Sequence, residues 1–445
     1  MIKQWLAREA YSLLLRVGMP FYLWRVWSRG RTEPTYRAVW WERLGFYGPA
    51  YRRQLVAGQK AGPLVWLHAV SLGETRAVAP LVNALRQQQP TMRLLLTHST
   101  ATGREAGQAL LREGDLQTWL PYDTPGAVAR FLQMHRPAGG VLMETEVWPN
   151  VQAVARRFGV PMVLANGRLS EKSLKQGLRL AALMKPAAQS LDLVLAQTEA
   201  DADRFVLMGA QRVQVSGNVK FDMTPSDDLL ARGAVWRQAS GSRPLVMMAS
   251  SREGEEPALL SAWLDLLNHP DLQVGPIGKP RLLIVPRHPQ RFDEVAGMIL
   301  DRGLALSRRS AWVGAQPDEQ AELADVWLGD SIGEMPSYYA AAQVALLGGS
   351  FEPLGGQNLI EAAACGCPIV MGPSTFNFAE AAELSEQAGA AFRVKDFAEG
   401  VAKSVSICGG ENHLQSVKSA FAFSQLHRGA ASISAKAIFD CIPLS

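Results

Sequence analysis

At 445 residues the chain is too long for one ordinary domain, and two are the natural expectation. A hydrophobic share of 48% with 19% charged residues excludes a disordered or fibrous chain, and four irregularly spaced cysteines exclude a disulfide framework and fit a reducing compartment. The net charge of +4 conceals an imbalance, with +8 on residues 1–60 and −4 on the remainder.

That basic segment also carries Trp5, Trp24, Trp27, Trp40 and Trp41, five of the twelve tryptophans. Cations interleaved with aromatic rings suit a bilayer interface, where rings sit at the headgroups and Lys/Arg meet anionic lipid. Residues 1–45 are therefore expected to associate with a membrane surface; the alternative is a basic amphipathic helix packed on the first domain. The longest uncharged stretch, residues 17–24, is far short of the ~20 residues of a membrane span. No small-residue cleavage site follows a compact apolar core, so a cleaved signal peptide is not expected. No nucleic-acid module accompanies the basic stripe, and no motif reports a protein partner.

From residue 63 onward, PLVWLHAV, RLLLTHS, QTWLPY, GVLMET, PMVLAN and LVLAQ read as six strands separated by helical patterns. Continuous apolar runs mark strands of a parallel sheet buried on both faces. A polar, turn-rich stretch at 221–228 breaks the series, and residues 223–243 read as a connector. PLVMMAS, RLLIVP, DVWLGD, VALLGG, PIVMGP and AAFRV then form a second series. The expectation is an α/β chain of two doubly wound, Rossmann-like domains facing each other across a cleft, at 46–222 and 244–410. Residues 411–445 read as a helical segment able to cross back over the first domain.

Ligands of such sheets bind beyond the carboxyl ends of the strands, so the motifs there matter most. HAVSLGE places Glu74 at the first position of a helix, where N–H groups and the helix dipole are expected to lower its pKa. A carboxylate held ionised there can take a proton from a substrate hydroxyl; the alternative is a glutamate that only stabilises its helix. METEVWPN places Glu144 and Glu146 two apart at a strand end, facing opposite ways if the strand persists. Asn166-Gly167-Arg168 adds donors, and GNVKFD places Lys220 where an anion can be reached. Asp201-Ala202-Asp203 resembles a metal-holding DxD but lies in a helical stretch and reads as a solvated helix start.

In the second series, ASSREGEE places Ser250, Ser251 and Arg252 at a strand-to-helix turn of the phosphate-binding kind. VPRHPQRF ends a strand with Pro286 and Arg287, a planar donor for phosphate. GDSIGEM contributes Ile332, Gly333 and Glu334. GGSFEPLGGQNLIEAA is the richest segment: Gly356 and Gln357 lie in its second glycine turn, and Asn358, Leu359, Ile360 and Glu361 follow. Asn358 and Glu361, three apart, share a helical face there, and Glu361 suits ribose hydroxyls. Cys365-Gly366-Cys367 has no second Cys/His cluster near it in sequence, so no metal centre is expected.

Taken together, HAVSLGE, METEVWPN, GNVKFD, PRHPQRF, GDSIGEM and GGSFEPLGGQNLIEAA resemble the bacterial Kdo transferases acting on lipid A, where Kdo is 3-deoxy-D-manno-octulosonic acid. The resemblance runs from the basic N-terminal segment to about residue 395, with the motifs in family order. It implies a GT-B glycosyltransferase on the cytoplasmic face of the inner membrane, with CMP-Kdo as donor and the disaccharide lipid A precursor as acceptor. It implies inversion at the anomeric centre, Glu74 as general base, and Glu144 and Lys220 as transition-state stabilisers. Pro286, Arg287, Ile332, Gly333, Glu334 and Asn358 to Glu361 match the CMP-binding segments, and Ser250, Ser251, Arg252, Gly356 and Gln357 lie where the donor phosphate is expected. No cofactor is implied, and cationic side chains meet the leaving group without a metal. The chain departs from the family where Arg252 and Gln357 stand in place of histidine; the first keeps a cation and the second a donor. The competing readings are another nucleotide-sugar enzyme, such as a UDP-sugar epimerase or transferase, and a catalytically silent membrane-bound paralogue.

Overall fold

The computed structural model describes residues 2–58, 62–269 and 279–443; Lys60, counted in the basic segment, lies outside them. The chain forms two compact units, Met1–Asp222 with Arg428–Ser445, and Met223–His427.

The first unit holds a parallel seven-stranded sheet built from β1 (Leu64–His68), β2 (Arg93–His98), β3 (Leu116–Trp119), β4 (Gly139–Met143), β5 (Met162–Gly167), β6 (Leu193–Ala196) and β7 (Val213–Val215). Its order is β3-β2-β1-β4-β5-β6-β7. All residues of β1, β2, β4, β5 and β6 are buried, because helices cover both faces. The short β7, which has no continuous apolar run, is the strand the hydrophobic pattern did not reveal. Strand order reverses between β1 and β4, and the loops after those two strands define the crevice of this sheet.

The N-terminal helix, Ile2–Arg29, docks on this unit by one side. Tyr11 donates to Asp123 at 3.0 Å, Ser12 donates to Asn150 at 3.1 Å, and Val26 packs with Tyr36, Ala101 and Trp119. The opposite side exposes Leu13, Val17, Phe21 and Trp24 at helical spacing. Among the described residues, no helix is long and apolar enough to cross a membrane.

The second unit repeats the plan with β8 (Leu245–Ser251), β9 (Arg281–Pro286), β10 (Leu306–Arg308), β11 (Val326–Leu328), β12 (Val344–Leu347), β13 (Ile369–Met371) and β14 (Ala391–Arg393). The order is β10-β11-β9-β8-β12-β13-β14, again all parallel, with its reversal between β8 and β12. β10 is the strand missed in this series; its sequence, LSR, is too short and polar to read as one.

Two stretches differ from the expected layout. The stretch read as a connector contains a helix, Asp227–Ala239, belonging to the second unit. The terminal helical segment is two helices broken at Gly429, which adopts φ 109°. Gly410–Leu426 belongs to the second unit and Ala430–Cys441 to the first.

Candidate active site

In the first unit, the chain leaves β1 and enters a helix, Leu72–Ala77, capped by Ser71. Glu74 is the third residue of that helix, not the first, a position from which a glutamate can reach back over the helix start. Its backbone N–H meets the Ser71 hydroxyl at 3.5 Å, while its own carboxylate reaches back to the Val70 N–H at 2.8 Å. The expected lowering of its pKa does not hold. Burial raises the Glu74 pKa to about 7; the Val70 hydrogen bond opposes this and the nearby Glu144 and Glu146 reinforce it. Desolvation is the largest cause and outweighs the Val70 and Ser71 hydrogen bonds that favour the charged form.

β4 ends at Met143, so the alternation expected for the next residues is lost. Glu144 adopts a left-handed backbone, φ 57°, held by its N–H to the Ala165 carbonyl at 3.0 Å. Glu144 and Glu146 thereby both bear electrostatically on Glu74 instead of facing opposite ways. Glu146 accepts the Trp148 indole N–H at 2.6 Å and stands 4.0 Å from Nε2 of buried His68. Burial holds the Glu146 pKa above the usual carboxylate range and pulls that of His68 down to about 3. Lys220 brings the balancing cation, its Nζ 2.8 Å from Glu144 Oε1.

Lys220 is placed by a polar scaffold. It lies in a 3₁₀ turn, Val219–Asp222, whose first N–H donates to the buried Asn166 side chain at 3.1 Å. The Gln197 amide donates to the Asn166 carbonyl at 3.0 Å and accepts from Asn218. Asp222 accepts the N–H groups of Gly429 and Ala431 at 2.6 and 2.7 Å, tying the last helix to the same turn. The base candidate, the carboxylate–lysine pair and Glu146 thus gather at the β1/β4 reversal.

The second unit assembles its loops around two buried glutamates that the sequence reading treated only as part of a turn. Glu255 accepts the N–H groups of Arg252 and Gly349, each at 2.8 Å, and of Phe351 at 3.3 Å, joining the turn after β8 to that after β12. Glu256 pairs with Arg291 at 2.7 Å and accepts the Ser251 hydroxyl at 2.7 Å. Ser251 is therefore spent within the turn and not offered to a ligand. Ser250, at φ 58°, approaches Gly348 so closely that a Cβ there would lie 2.2 Å from the Ser250 carbonyl.

Gly355 and Gly356 follow one another at φ 85° and 73°, and the Gly356 N–H donates to the Gly349 carbonyl at 2.8 Å. Gln357 lies beside that turn, within reach of Gly349. Asn358 caps the short helix Leu359–Ala364 through the Ile360 N–H at 3.1 Å, so its side chain is not on the helical face shared with Glu361. Leu359 and Ile360 are fully buried, whereas Asn358 and Glu361 are half-buried. Pro286 ends β9, and the N–H of Arg287, an exposed residue, donates to the Ser251 carbonyl at 3.0 Å. Ile332 and Gly333 are exposed, whereas Glu334 is buried against Arg309 at 2.8 Å and Arg232 at 2.5 Å.

Asp201 is not solvated: it is buried and accepts the Leu169 N–H at 2.8 Å. The thiols of Cys365 and Cys367 are pushed up in pKa by burial. Among the described residues, no group of three or more His, Cys, Asp or Glu side chains has metal-holding geometry.

A family model described as 3-deoxy-D-manno-octulosonic-acid transferase (kdotransferase) matches residues 38–223. A 3-deoxy-D-manno-octulosonic acid transferase of Bordetella pertussis is 47% identical over 401 residues, covering 88% of this chain and 89% of the relative. One from Haemophilus influenzae is 31% identical over 405 residues, covering 89% and 90%. Among solved structures, a glycosyltransferase from Rickettsia africae superposes with TM-score 0.57 at 12% identity, over 86% of this chain and all of that one. A UDP-GlcNAc 2-epimerase from Neisseria meningitidis does so with TM-score 0.54 at 14%, over 85% and 99%. At such identities the structural likeness carries the fold alone, the GT-B class of two Rossmann-like units.

Proposed function

The chain belongs to the 3-deoxy-D-manno-octulosonic-acid (Kdo) transferases, a glycosyltransferase family, and from that premise we propose that it moves Kdo from CMP-Kdo to the disaccharide lipid A precursor with inversion. The observation that carries the reading is the Glu74 carboxylate beside the Glu144–Lys220 pair.

In this mechanism the acceptor hydroxyl oxygen forms the new bond to the anomeric carbon of Kdo. Its proton goes to Glu74, and the bond from that carbon to the donor phosphate breaks with its electron pair leaving on CMP. A base with a pKa of about 7 is well matched to that proton transfer near neutral pH. Glu144 holds Lys220 in place, Lys220 meets charge that develops in the transition state, and Arg287 is assigned to the donor phosphate, a task that otherwise falls to a metal ion. The Gly348 and Gly355 turns bring backbone close to CMP, and Glu361 takes the ribose.

The membrane-surface reading of the N-terminal segment belongs to the same proposal. It is supported by the exposed stripe of Leu13, Val17, Phe21 and Trp24. Near the start of the same helix, on its docked side, a groove of about 550 Å³ is lined by Arg8, Arg156 and Arg157, with no carboxylate among the described residues of its walls. Apolar side chains flanked by cations fit the cytoplasmic surface of an anionic inner membrane.

The test is transfer itself. Purified protein in detergent receives lipid A precursor and CMP-Kdo generated in place, and the lipid is read by mass spectrometry. Added Kdo mass with the wild type, falling about 10²–10⁴-fold in rate with Glu74→Gln, is the expected result. Undiminished transfer by the variant removes Glu74 as the base; no transfer by the wild type removes the proposed substrate pair.

A further inference from the structure

Between the N-terminal helix and the loop after β3 lies a cavity of about 340 Å³. The helix contributes Leu14, Gly18, Met19 and Tyr22; the opposite wall includes Pro121 and Trp148. The volume is at the small end of ligand pockets, roughly 300–1,000 Å³.

Its two ends lead to different places. Leu14 and Phe21 line it and are also exposed on the outer face of the helix, 69% and 67%, so the cavity opens beside exposed apolar side chains. At the other end the Trp148 indole donates to Glu146, which bears on Glu74. An amphiphile lying in the cavity therefore reaches from an apolar surface to the carboxylate cluster.

The polar groups at its base are mostly engaged internally. Asp123 accepts from Tyr11, Asn150 and Val151, and the Arg43 guanidinium lies 3.9 Å over Trp119 and donates to the Ser99 carbonyl. Arg43 Nε and the Tyr122 hydroxyl are buried without a hydrogen-bond partner. Both atoms are sealed off from the cavity, so what it offers an occupant is chiefly its apolar wall of Leu14, Met19, Phe21, Leu120 and Trp148, which suits the hydrocarbon of a fatty acyl chain.

We propose that this cavity receives one acyl chain of the acceptor lipid and thereby sets the enzyme's acyl preference. The assignment rests on the lipid acceptor read above. It places the sugar end of the acceptor at Glu74 by fixing the lipid end beside Trp148.

Gly18 permits a direct test, since nothing lies within 4 Å of where a Cβ would sit, and any residue there other than proline raises helix propensity. Gly18→Trp and Met19→Trp would each be assayed in detergent with the acylated acceptor, acceptors of shortened chain, and the de-acylated phosphodisaccharide. Expected are a rise of at least about tenfold in KM for the acylated acceptor, unchanged transfer to the de-acylated one, and loss of the roughly fourfold dependence on each methylene expected of the wild type. Equal vesicle binding by variant and wild type keeps membrane detachment out of the result. Unchanged KM for the acylated acceptor in both variants overturns the acyl assignment while leaving the transferase reading intact. Equal loss on both acceptors also overturns it, by placing the damage at the carboxylates. Absence of transfer by the wild type to any acceptor strikes the underlying reading instead.

Discussion

Lys220 Nζ stands 2.8 Å from Glu144 Oε1, joining the turn after β4 to the GNVKFD turn. Each partner is fixed independently, Glu144 by its left-handed backbone and Lys220 by the Asn166 scaffold. The pair therefore does more than neutralise a charge: it keeps one of the carboxylates near Glu74 compensated. Lys220→Ala leaves Glu144 unpaired, which makes ionisation of Glu74 harder and raises its pKa. The expected outcome is a fall of about 10²-fold or more in kcat, with the acid limb of the rate profile moved to higher pH. A limb that stays in place would show that Lys220 acts on the leaving group alone.

Glu74 itself predicts a pH profile. As a base with a pKa raised to about 7, it must lose its proton to work, so kcat/KM should rise with pH and level off above about 7. Glu146→Gln removes a like charge and should move that limb downward. The same shift has a stability consequence of defined sign. The folded state holds the Glu74 proton more tightly than the unfolded chain, so its contribution is full below about 4.5 and is lost as pH rises through about 7. Glu74→Gln should therefore melt higher than wild type at pH 8, by of order 1 kcal/mol after solvent screening, and equal to it near pH 4. Thermal melts at the two pH values decide it; a variant less stable at pH 8 contradicts the raised pKa.

The fold was legible because buried parallel strands announce themselves as apolar runs, and twelve of the fourteen strands have one. β7 and β10, three residues each, lack that signal. The site was legible where a motif follows a strand: Glu74, Glu144 and Lys220, far apart in sequence, do gather at one reversal. What escaped was direction. Nothing in METE says that Glu144 turns left-handed, since that depends on its bond to Ala165 in a neighbouring strand. Nor does ASSREGEE say that two of its three glutamates, Glu255 and Glu256, turn inward, because two of the three N–H groups that satisfy Glu255 come from a loop ninety-odd residues later.

Glu255 is a fully buried carboxylate whose partners are three backbone N–H groups of two loops. Removing it leaves those donors unpaired and frees the Gly349 turn from the Arg252 turn, costing about 1–3 kcal/mol. Glu255→Ala should weaken CMP binding by tenfold or more in calorimetric titration and raise KM for CMP-Kdo more than it lowers kcat. Glu255→Gln, which keeps one acceptor oxygen, should recover part of that loss. An unaltered CMP affinity in the alanine variant means these loops do not hold the donor.

Cations, not a metal, are assigned to the leaving phosphate, and that assignment is open to a simple check. Transfer by protein dialysed against EDTA should equal that of untreated protein and should not rise with added Mg²⁺ or Mn²⁺, whereas Arg287→Ala should lose about 10²-fold or more in kcat/KM. Dependence on either cation would reassign the stabilisation of the leaving group.

Asp222 links the catalytic turn to the end of the chain. Its carboxylate accepts the Gly429 and Ala431 N–H groups, so it caps the Ala430–Cys441 helix from outside that helix. That helix buries Ala435 and Ile438 in the same core as Val65, Leu67 and Val219, the last being the neighbour of Lys220. Loss of the cap should cost about 1–2 kcal/mol locally and be felt at Lys220 through the shared turn. Asp222→Ala should speed hydrogen exchange at the amides of residues 430–441 by about 10-fold or more, and lower kcat through misplacement of Lys220 without changing CMP affinity. Asp222→Asn, which still offers an acceptor oxygen, should exchange more slowly than the alanine variant. Faster exchange with undiminished kcat would separate the helix from the turn, and Lys220 would then be held by Asn166 alone.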